Sequence, residues 1–265
     1  MAPGACIVTV ISWPADKSGQ AGRPVPKTGG PTEKERCSGT ALFSYVALVV
    51  AGRIRLLCLR RGFFGTKTCM PDLAFESEIG GRVAGVDEVG RGPLAGPVTA
   101  AAVVLDVRHV PKGLNASKVL SAKRRNGLWD EILAHADVSV AHASVAEIDQ
   151  LNVLRASHLA MVRAVAGLAT PPDHVLVDGR DVPSGLGCPA TPLIKGDTRS
   201  LSISAASIVA KICRDRIMVD LAQQHPGYGW ETNMGYPSKS HRLALQNLGV
   251  TAYHRRTFKP VHNML

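Results

Sequence analysis

The chain has few aromatic residues and no cysteine pairing of the metal-binding or redox type. Aromatic residues make up 5% of its 265 residues, while alanine and aliphatic residues are plentiful, which favours an α/β protein with buried strands. Its six cysteines form no Cys-x-x-Cys pair and no Cys/His cluster with zinc spacing. This pattern argues against a zinc module and favours a reducing, cytoplasmic compartment.

Long apolar segments are also missing. The longest apolar run, residues 41–52, is interrupted by Ser44 and bounded by Arg53, so it is well short of the roughly 20 residues that span a bilayer. It also lies too far along the chain, behind too many charges, for an ordinary signal peptide. No internal repeat is visible. The sequence therefore predicts a protein without a membrane segment.

Positive charge is in excess but unevenly placed. The formal net charge is +10; residues 1–69 hold ten Lys/Arg and three Asp/Glu, and residues 70–265 hold twenty-one and eighteen. A modestly basic enzyme that carries an acidic cluster fits a polyanionic partner with a metal ion at the reacting bond. On charge alone, ordinary solubility charge explains the excess equally well.

The first 69 residues differ from the rest. Residues 13–40 are rich in Pro, Gly, Lys and Ser without any period, which indicates disorder; residues 41–64 have the composition of a strand or short helix. We expect residues 1–69 to be a disordered or non-native leader, upstream of a biological start at Met70. The alternative is a genuine flexible basic arm that adds affinity for nucleic acid.

From residue 82 onward, strand and helix patterns alternate. Apolar or alternating runs predict strands at 82–87, 97–105, 138–145, 174–177 and 190–195. Helical spacing predicts helices at 122–135, 147–168, 202–224 and 240–248. Alternating strands and helices indicate an α/β layer fold over residues 70–265.

Two adjacent carboxylates, Asp87 and Glu88, follow the apolar run Val83–Val86 and precede a glycine-rich turn. Successive strand side chains point to opposite faces, so the two cannot both face solvent on one side. A carboxylate at the end of a buried strand is costly unless it is paired. A divalent cation is the natural partner, because hard ions prefer oxygen ligands.

Two further aspartates stand at comparable positions. Asp178 ends an apolar strand before a glycine, and Asp197 lies in Ile-Lys-Gly-Asp just before a long helix. Either one alone would be a turn residue in most proteins. With Asp87 and Glu88 they make four carboxylates at loop edges, where α/β proteins gather their ligand groups.

Five segments in fixed order resemble bacterial ribonuclease HII. They are Gly-Val-Asp-Glu-Val-Gly-Arg-Gly-Pro-Leu-Ala-Gly-Pro (85–97), Val-Asp-Gly (177–179), Lys-Gly-Asp (195–197), Ser-Ala-Ala-Ser-Ile-Val-Ala-Lys-Ile-Cys-Arg-Asp (204–215) and Gly-Tyr-Pro (235–237). The resemblance implies a ribonuclease H-like fold: a mixed central sheet flanked by helices, with a small helical C-terminal part. It also implies endonucleolytic cutting of RNA in RNA–DNA hybrids and at single ribonucleotides embedded in duplex DNA.

By this resemblance, Asp87, Glu88, Asp178 and Asp197 are the catalytic and metal-binding carboxylates. Two Mn²⁺ or Mg²⁺ ions about 4 Å apart would hold the scissile phosphate between them. The implied products are a 5′-phosphate and a 3′-hydroxyl. Because adjacent carboxylates repel, the ion-free site should be destabilised at neutral pH.

The resemblance also implies substrate contacts. Gly90, Arg91 and Gly92 form a loop whose backbone can approach the minor groove and meet the 2′-hydroxyl that distinguishes RNA from DNA. Arg91 would order this loop or bind a phosphate. Tyr236 would stack on the sugar next to the cut and sense the RNA–DNA junction; His241 is a weaker candidate.

Two further predictions are less direct. Ser117 and Lys118 resemble the family's Asp-Ser-Lys segment and would contact phosphate, although Ala116 replaces the usual acid. Lys211 and Asp215, four residues apart on one helix face, are candidates for supporting the acidic cluster, and a simple salt bridge is the alternative.

The leading interpretation is thus a metal-dependent ribonuclease, monomeric, acting on RNA–DNA hybrids and ribonucleotide-containing duplex DNA. A non-catalytic nucleic-acid-binding module on the same fold would require a missing carboxylate, and none is missing. A nucleotide-binding protein is disfavoured because the chain lacks Gly-x-x-x-x-Gly-Lys-Ser/Thr.

Overall fold

A computed structural model describes the backbone of residues 47–50 and 53–56 and the whole of residues 70–265, which belong to two separate units. The first unit contains an antiparallel pair, β1 (Ala47–Val50) and β2 (Arg53–Leu56). Of the two alternatives expected within residues 41–64, a strand or a short helix, the structure shows strands at these positions. The disorder predicted for residues 13–40 lies outside the described residues.

The second unit is built on a five-stranded mixed sheet. Its strands are β3 (Val83–Val89), β4 (Val98–Leu105), β5 (Ala136–Ala143), β6 (His174–Asp178) and β7 (Ala190–Leu193). Their order is β5-β4-β3-β6-β7; β5, β4 and β3 are antiparallel neighbours, whereas β3, β6 and β7 run parallel. The predicted mixed sheet is therefore confirmed.

Helices cover both faces of this sheet. They are α1 (Ala74–Ile79), α2 (Ala122–His135), α3 (Val145–Leu151), α4 (Val153–Ala166), α5 (Leu201–Gln224), α6 (Trp230–Asn233), α7 (Lys239–Leu248) and α8 (Lys259–His262). Helix α4 packs on one face, and α5 with α2 packs on the other. Across the described part of the chain, no helix combines the length and the apolar character that crossing a membrane requires.

Strand β3 is the strand that helix α5 approaches most closely. Ala84 and Val86 point into the core beneath α4, so Gly85 and Asp87 face α5. A Cβ atom at Gly85 would lie 2.2 Å from the carbonyl carbon of Ser202. The backbone of α5 therefore rests directly on β3, which only a glycine permits.

One predicted helix is wrong in its length. Residues 147–168 were expected to form a single helix, but the chain breaks at Asn152, whose φ of 72° is left-handed. Asparagine tolerates this conformation better than most residues. Its Oδ1 then accepts the N–H groups of Leu154 and Arg155, at 3.0 and 3.1 Å, and so caps α4.

One predicted strand is displaced. The strand expected at 138–145 occupies 136–143 instead, because Ser144 begins the next helix. Its hydroxyl accepts the N–H of Glu147 at 3.0 Å, and the Glu147 carboxylate accepts the N–H of Ser144 at 2.7 Å. This reciprocal capping ends the strand two residues early.

The C-terminal helices form a small apolar cluster of their own around the fully buried Trp230. Leu94 and Ala95, which follow the glycine-rich turn after β3, belong to this cluster. The N–H of Leu94 donates to Gly235 at 2.8 Å, and that of Gly96 donates to Tyr253 at 2.9 Å. The turn after β3 is therefore fastened to the small C-terminal part.

Candidate active site

The site begins where β3 ends. Asp87 is buried on the face that α5 covers, and Glu88 follows on the opposite side of the strand with its side chain 11% exposed. The Oδ1 atom of Asp87 accepts the N–H of Glu88 at 2.7 Å. Ser207, on α5, hydrogen-bonds Asp87 from the other side.

Asp178 lies beside Asp87 because β3 and β6 are parallel neighbours. Val86 is paired with Val177, so the next residue on each strand is an aspartate, about one strand spacing (~4.8 Å) away. Asp178 is held by the N–H of Gly196, which donates to its Oδ1 at 2.7 Å. The sheet register thus brings together two carboxylates that are far apart in sequence.

Asp197 completes the group from a short 3-10 turn, Gly196–Thr198. The residue before this turn, Lys195, has a left-handed φ of 55°. The carbonyl of Asp197 accepts the Ser204 hydroxyl at 2.6 Å, which ties the turn to the first part of α5. The tight turn and the helix start together present Asp197 to Asp178.

The electrostatics show that these carboxylates crowd one another. Burial, followed by the charges of Glu88 and Asp178, raises the pKa of Asp87 well above its usual value. Burial also raises the pKa of Glu88, although Arg91 opposes this. The pKa of Asp178 is raised by burial and then by Asp197. Raised values of this kind indicate a site that lacks positive charge.

The donor set suits a hard divalent cation. Every group is a carboxylate oxygen, and Oε2 of Glu88 is buried without a hydrogen-bond partner among the described residues. Within residues 70–265, however, no three His, Cys, Asp or Glu side chains are already arranged to hold a metal ion. The residues therefore fit a cation chemically, and side-chain adjustment would be needed to bind it.

The glycine-rich turn lies against both the carboxylates and Tyr236. Nη1 of Arg91 donates to Oε1 of Glu88 at 3.2 Å, so Arg91 contacts the acidic cluster directly. A Cβ atom at Gly92 would lie 3.4 Å from Cε1 of Tyr236, whose side chain is exposed. The structure thus places the predicted ribose-reading loop and the predicted stacking ring side by side.

Comparison with known proteins gives a consistent result. The family model described as "Ribonuclease HII" matches residues 84–261. The chain belongs to the ribonuclease HII family. Ribonuclease HII of Roseobacter denitrificans is 73% identical over 184 residues, covering 69% of this chain and 93% of the relative.

Two further comparisons agree. Ribonuclease HII of Ruegeria pomeroyi is 63% identical over 215 residues, covering 78% of this chain and 92% of the relative. The crystal structure of ribonuclease H2 from Pyrococcus horikoshii OT3 superposes with a TM-score of 0.59 at 29% identity, over 69% of this chain and 96% of that one. The chain is thus a type II ribonuclease H, an endoribonuclease acting on RNA–DNA hybrids, and the predicted fold is confirmed.

Ser117 and Lys118 follow Ala116, which replaces the acid usual in ribonuclease HII. One of the two side chains is buried and the other is exposed. The Ser117 hydroxyl is buried and lies 2.8 Å from that of Ser207, the residue that hydrogen-bonds Asp87. Lys118 is exposed, and its charge acts on Asp178. Ser117 therefore supports the floor of the site, and its predicted contact with phosphate stays a prediction. Lys118 is accessible to a phosphate.

The two helix residues proposed to support the cluster contact each other. Nζ of Lys211 lies 2.6 Å from Oδ2 of Asp215, which is the salt-bridged helix face named as the alternative. Neither residue is among the main causes of the raised pKa of Asp87, Glu88 or Asp178. Their supporting role stays a prediction.

His241 has a defined structural position. Its Nε2 accepts the indole N–H of Trp230 at 3.0 Å, so its proton is on Nδ1, which donates to the carbonyl of Tyr236 at 2.9 Å. His254 then donates from Nε2 to His241 Nε2 at 3.1 Å, and its Nδ1 accepts the N–H of Thr251 at 3.0 Å. The backbone of Tyr236 is therefore held by a chain of neutral histidines.

Sequence reasoning missed two fully buried arginines beneath residues 90–92, the loop that the resemblance assigns to substrate contact and that is called the recognition loop below. Arg214 appeared only within the segment 204–215, and Arg255 was not singled out. Their partners are main-chain carbonyls, which leave no charge pattern in a sequence. A basic residue within a His-Arg-Arg run gives no signal of burial.

Proposed function

We propose that this ribonuclease HII cuts RNA in RNA–DNA hybrids and at single ribonucleotides embedded in duplex DNA, with two divalent ions and with 5′-phosphate and 3′-hydroxyl products. The observation that carries the proposal is the crowding of Asp87, Glu88 and Asp178, each with a raised pKa, at the ends of adjacent strands. Asp197 adds a fourth charge beside Asp178.

Asp87, Glu88, Asp178 and Asp197 would hold the ions, which are Mn²⁺ or Mg²⁺. When bound, such ions activate water and stabilise the leaving 3′ oxygen. The remaining roles belong to side chains of the protein. Ser207 and Ser117 fix Asp87 from below through linked hydroxyls.

The substrate contacts surround this cluster. Lys118 is exposed beside Asp178 and would bind a flanking phosphate. The amides of Gly90, Arg91 and Gly92 would meet the ribose, since two glycines let a backbone approach closely. Tyr236, exposed next to Gly92, would stack on the adjoining deoxyribose and so recognise the RNA–DNA junction.

The setting proposed for this activity is the cytoplasm, with the protein acting as a monomer on nucleic acid. The four carboxylates come from one chain, so the site needs no second copy. The modest net charge of +3 over residues 70–265 fits a nuclease that binds phosphates locally instead of wrapping the duplex.

Replacing Asp87 by Asn tests the assignment. The change keeps an oxygen acceptor for the Glu88 N–H but removes a charge from the ion site. We expect cleavage of a duplex with one embedded ribonucleotide to fall by about 10³-fold or more, since a loss of several kcal/mol of stabilisation corresponds to that factor. The measurement is single-turnover cleavage in Mn²⁺ and in Mg²⁺.

Asp130→Asn is the matched control, because Asp130 is exposed on α2, and its rate should equal that of the parent. Ordinary cleavage by Asp87→Asn would refute the assignment. Tight binding without cleavage by the parent would instead favour a non-catalytic binding module.

A further inference from the structure

Arg214 and Arg255 are charged groups buried without a carboxylate partner. Both side chains are fully buried, and neither forms a salt bridge with any described residue. Burying a guanidinium is costly unless its N–H groups are satisfied. Both do find partners, and all of these are main-chain carbonyl oxygens on the segments that would contact substrate.

Arg255 lies directly beneath the recognition loop. Its Nη2 donates to the carbonyl of Gly90 at 2.6 Å, and its Nη1 donates to that of Arg91 at 3.0 Å. Nε and Nη2 both donate to the carbonyl of Gly96, at 3.0 and 2.8 Å. One side chain, 165 residues away in sequence, therefore fixes both ends of the turn.

The direction of these carbonyls determines where the loop amides point. In a planar trans peptide the C=O and the following N–H point in opposite directions. With the carbonyls of Gly90 and Arg91 turned inward to Arg255, the N–H groups of Arg91 and Gly92 are turned away from it. Neither N–H has a hydrogen-bond acceptor among residues 70–265.

Arg214 joins this loop to the tyrosine segment. Its Nε donates to Pro97 at 3.0 Å and its Nη2 to Ala95 at 3.1 Å, while its Nη1 donates to Met234 at 3.0 Å, two residues before Tyr236. A Cβ atom at Gly90 would lie 2.2 Å from Nε of Arg214. The loop can therefore sit on this arginine only because residue 90 is glycine.

We propose that Arg255 is a positioning residue for ribose recognition: it holds the carbonyls of residues 90 and 91 inward so that two adjacent amides face the 2′-hydroxyl. Arg214 fixes the distance between those amides and the ring of Tyr236. The proposal rests on the proposed function, in which this loop reads the ribose. Lysine cannot replace either arginine, because a single ammonium lacks the planar fork of donors.

The test measures ribose discrimination by Arg255→Lys. In a non-cleaving Asp87→Asn background, the dissociation constant of an all-DNA duplex is divided by that of the same duplex carrying one ribonucleotide. We expect Arg255→Lys to lower this ratio by about tenfold, comparable to one hydrogen bond. We expect Arg214→Lys to lower it as well.

Two control variants separate positioning from stability. Arg256→Lys changes the exposed neighbouring arginine and should keep the parental ratio. Val261→Ala removes buried contacts from the same C-terminal cluster without touching the loop. A smaller folded fraction scales both dissociation constants equally, so this variant should also keep the ratio.

The outcomes distinguish the two proposals. A high parental ratio that Arg255→Lys leaves intact would overturn the positioning role alone. If Val261→Ala lowers the ratio as much as Arg255→Lys does, the positioning role is also overturned. The fall would then reflect a general loss of stability in the C-terminal cluster. A parent with no preference for the ribonucleotide would remove the proposed function, and this inference with it.

Discussion

At the scale of single residues, Asp87 lies in an environment that is unfavourable to its charge. It is buried, and three other carboxylates raise its pKa together with the burial. Because the raised pKa means that the ionised form is disfavoured in the fold, ionisation at neutral pH weakens the ion-free protein. Ion binding thus requires the ionised form of the Asp87 carboxyl group, whereas the stability of the ion-free protein favours its neutral form.

This conflict predicts the stability of Asp87→Asn. Without divalent ions at pH 7.5, we expect the variant to melt about 2–4 °C above the parent, the shift that about 1 kcal/mol gives in a domain of this size. The exposed Asp130→Asn should not move the melting temperature. Added Mn²⁺ should raise the melting temperature of the parent more than that of the variant, because stabilisation by a ligand increases with the logarithm of its affinity. A variant that melts below the parent without ions would contradict this account.

Some residues of the candidate site could be located from the sequence alone, and others could not. Asp87, Glu88, Asp178 and Asp197 each end a strand or precede a helix, so their positions could be inferred from pattern and from resemblance. The hydroxyl pair of Ser117 and Ser207 could not, because it joins two segments ninety residues apart through groups that are common in any chain.

At the scale of elements, the C-terminal helices depend on uncharged histidines. His254 connects Thr251 to His241, and His241 reaches the backbone of Tyr236. Burial lowers the pKa of His241, and burial with the charge of His241 lowers the pKa of His254 to about 3. The network therefore needs both rings neutral.

This network predicts a loss of stability in acid. In the unfolded chain a histidine binds a proton below about pH 6.5, whereas folded His254 does not until about pH 3. Between these values the unfolded state binds more protons, so stability falls as the pH falls, by up to about 1.4 kcal/mol per pH unit for this group. Urea unfolding from pH 8 to pH 4 measures the slope.

His254→Gln is the informative variant. We expect it to be less stable than the parent at pH 8, because a hydrogen bond to Thr251 is lost, but to show a shallower decline below pH 6.5. His262→Gln, at an exposed position, should keep the parental slope. An unchanged slope in His254→Gln would show that other groups cause the acid sensitivity.

Helix and strand boundaries were predictable only where local signals were strong. Helix α2 was predicted at its observed bounds, 122–135, from the helical spacing of Leu128, Ile132 and Leu133. The break at Asn152 was missed because its left-handed φ follows from packing of α3 and α4, and no glycine or proline marks it. The short helices α1, α6 and α8 have too few turns to produce a period.

At the scale of the whole molecule, every proposed site residue lies within residues 70–265. Most of the excess positive charge lies in residues 1–69. We therefore propose that residues 1–69 are dispensable for cleavage. A variant beginning at Met70 should cut an embedded ribonucleotide at the parental rate. The logarithm of its duplex affinity should have an unchanged slope against the logarithm of salt concentration.

The salt slope is the deciding measurement for the leader. Each phosphate neutralised by a basic side chain contributes about −0.9 to this slope, and the leader carries ten Lys/Arg. If the slope becomes shallower by several units when residues 1–69 are removed, the leader is instead a working basic arm.

The parallel pairing of β3 with β6 has a final consequence for how this gene can vary in length. Successive residues of a strand alternate between its two faces. One inserted or deleted residue within Val83–Val86 would therefore turn Asp87 toward α4 and Glu88 toward α5. The register of β3 therefore fixes the orientations of Asp87 and Glu88 together.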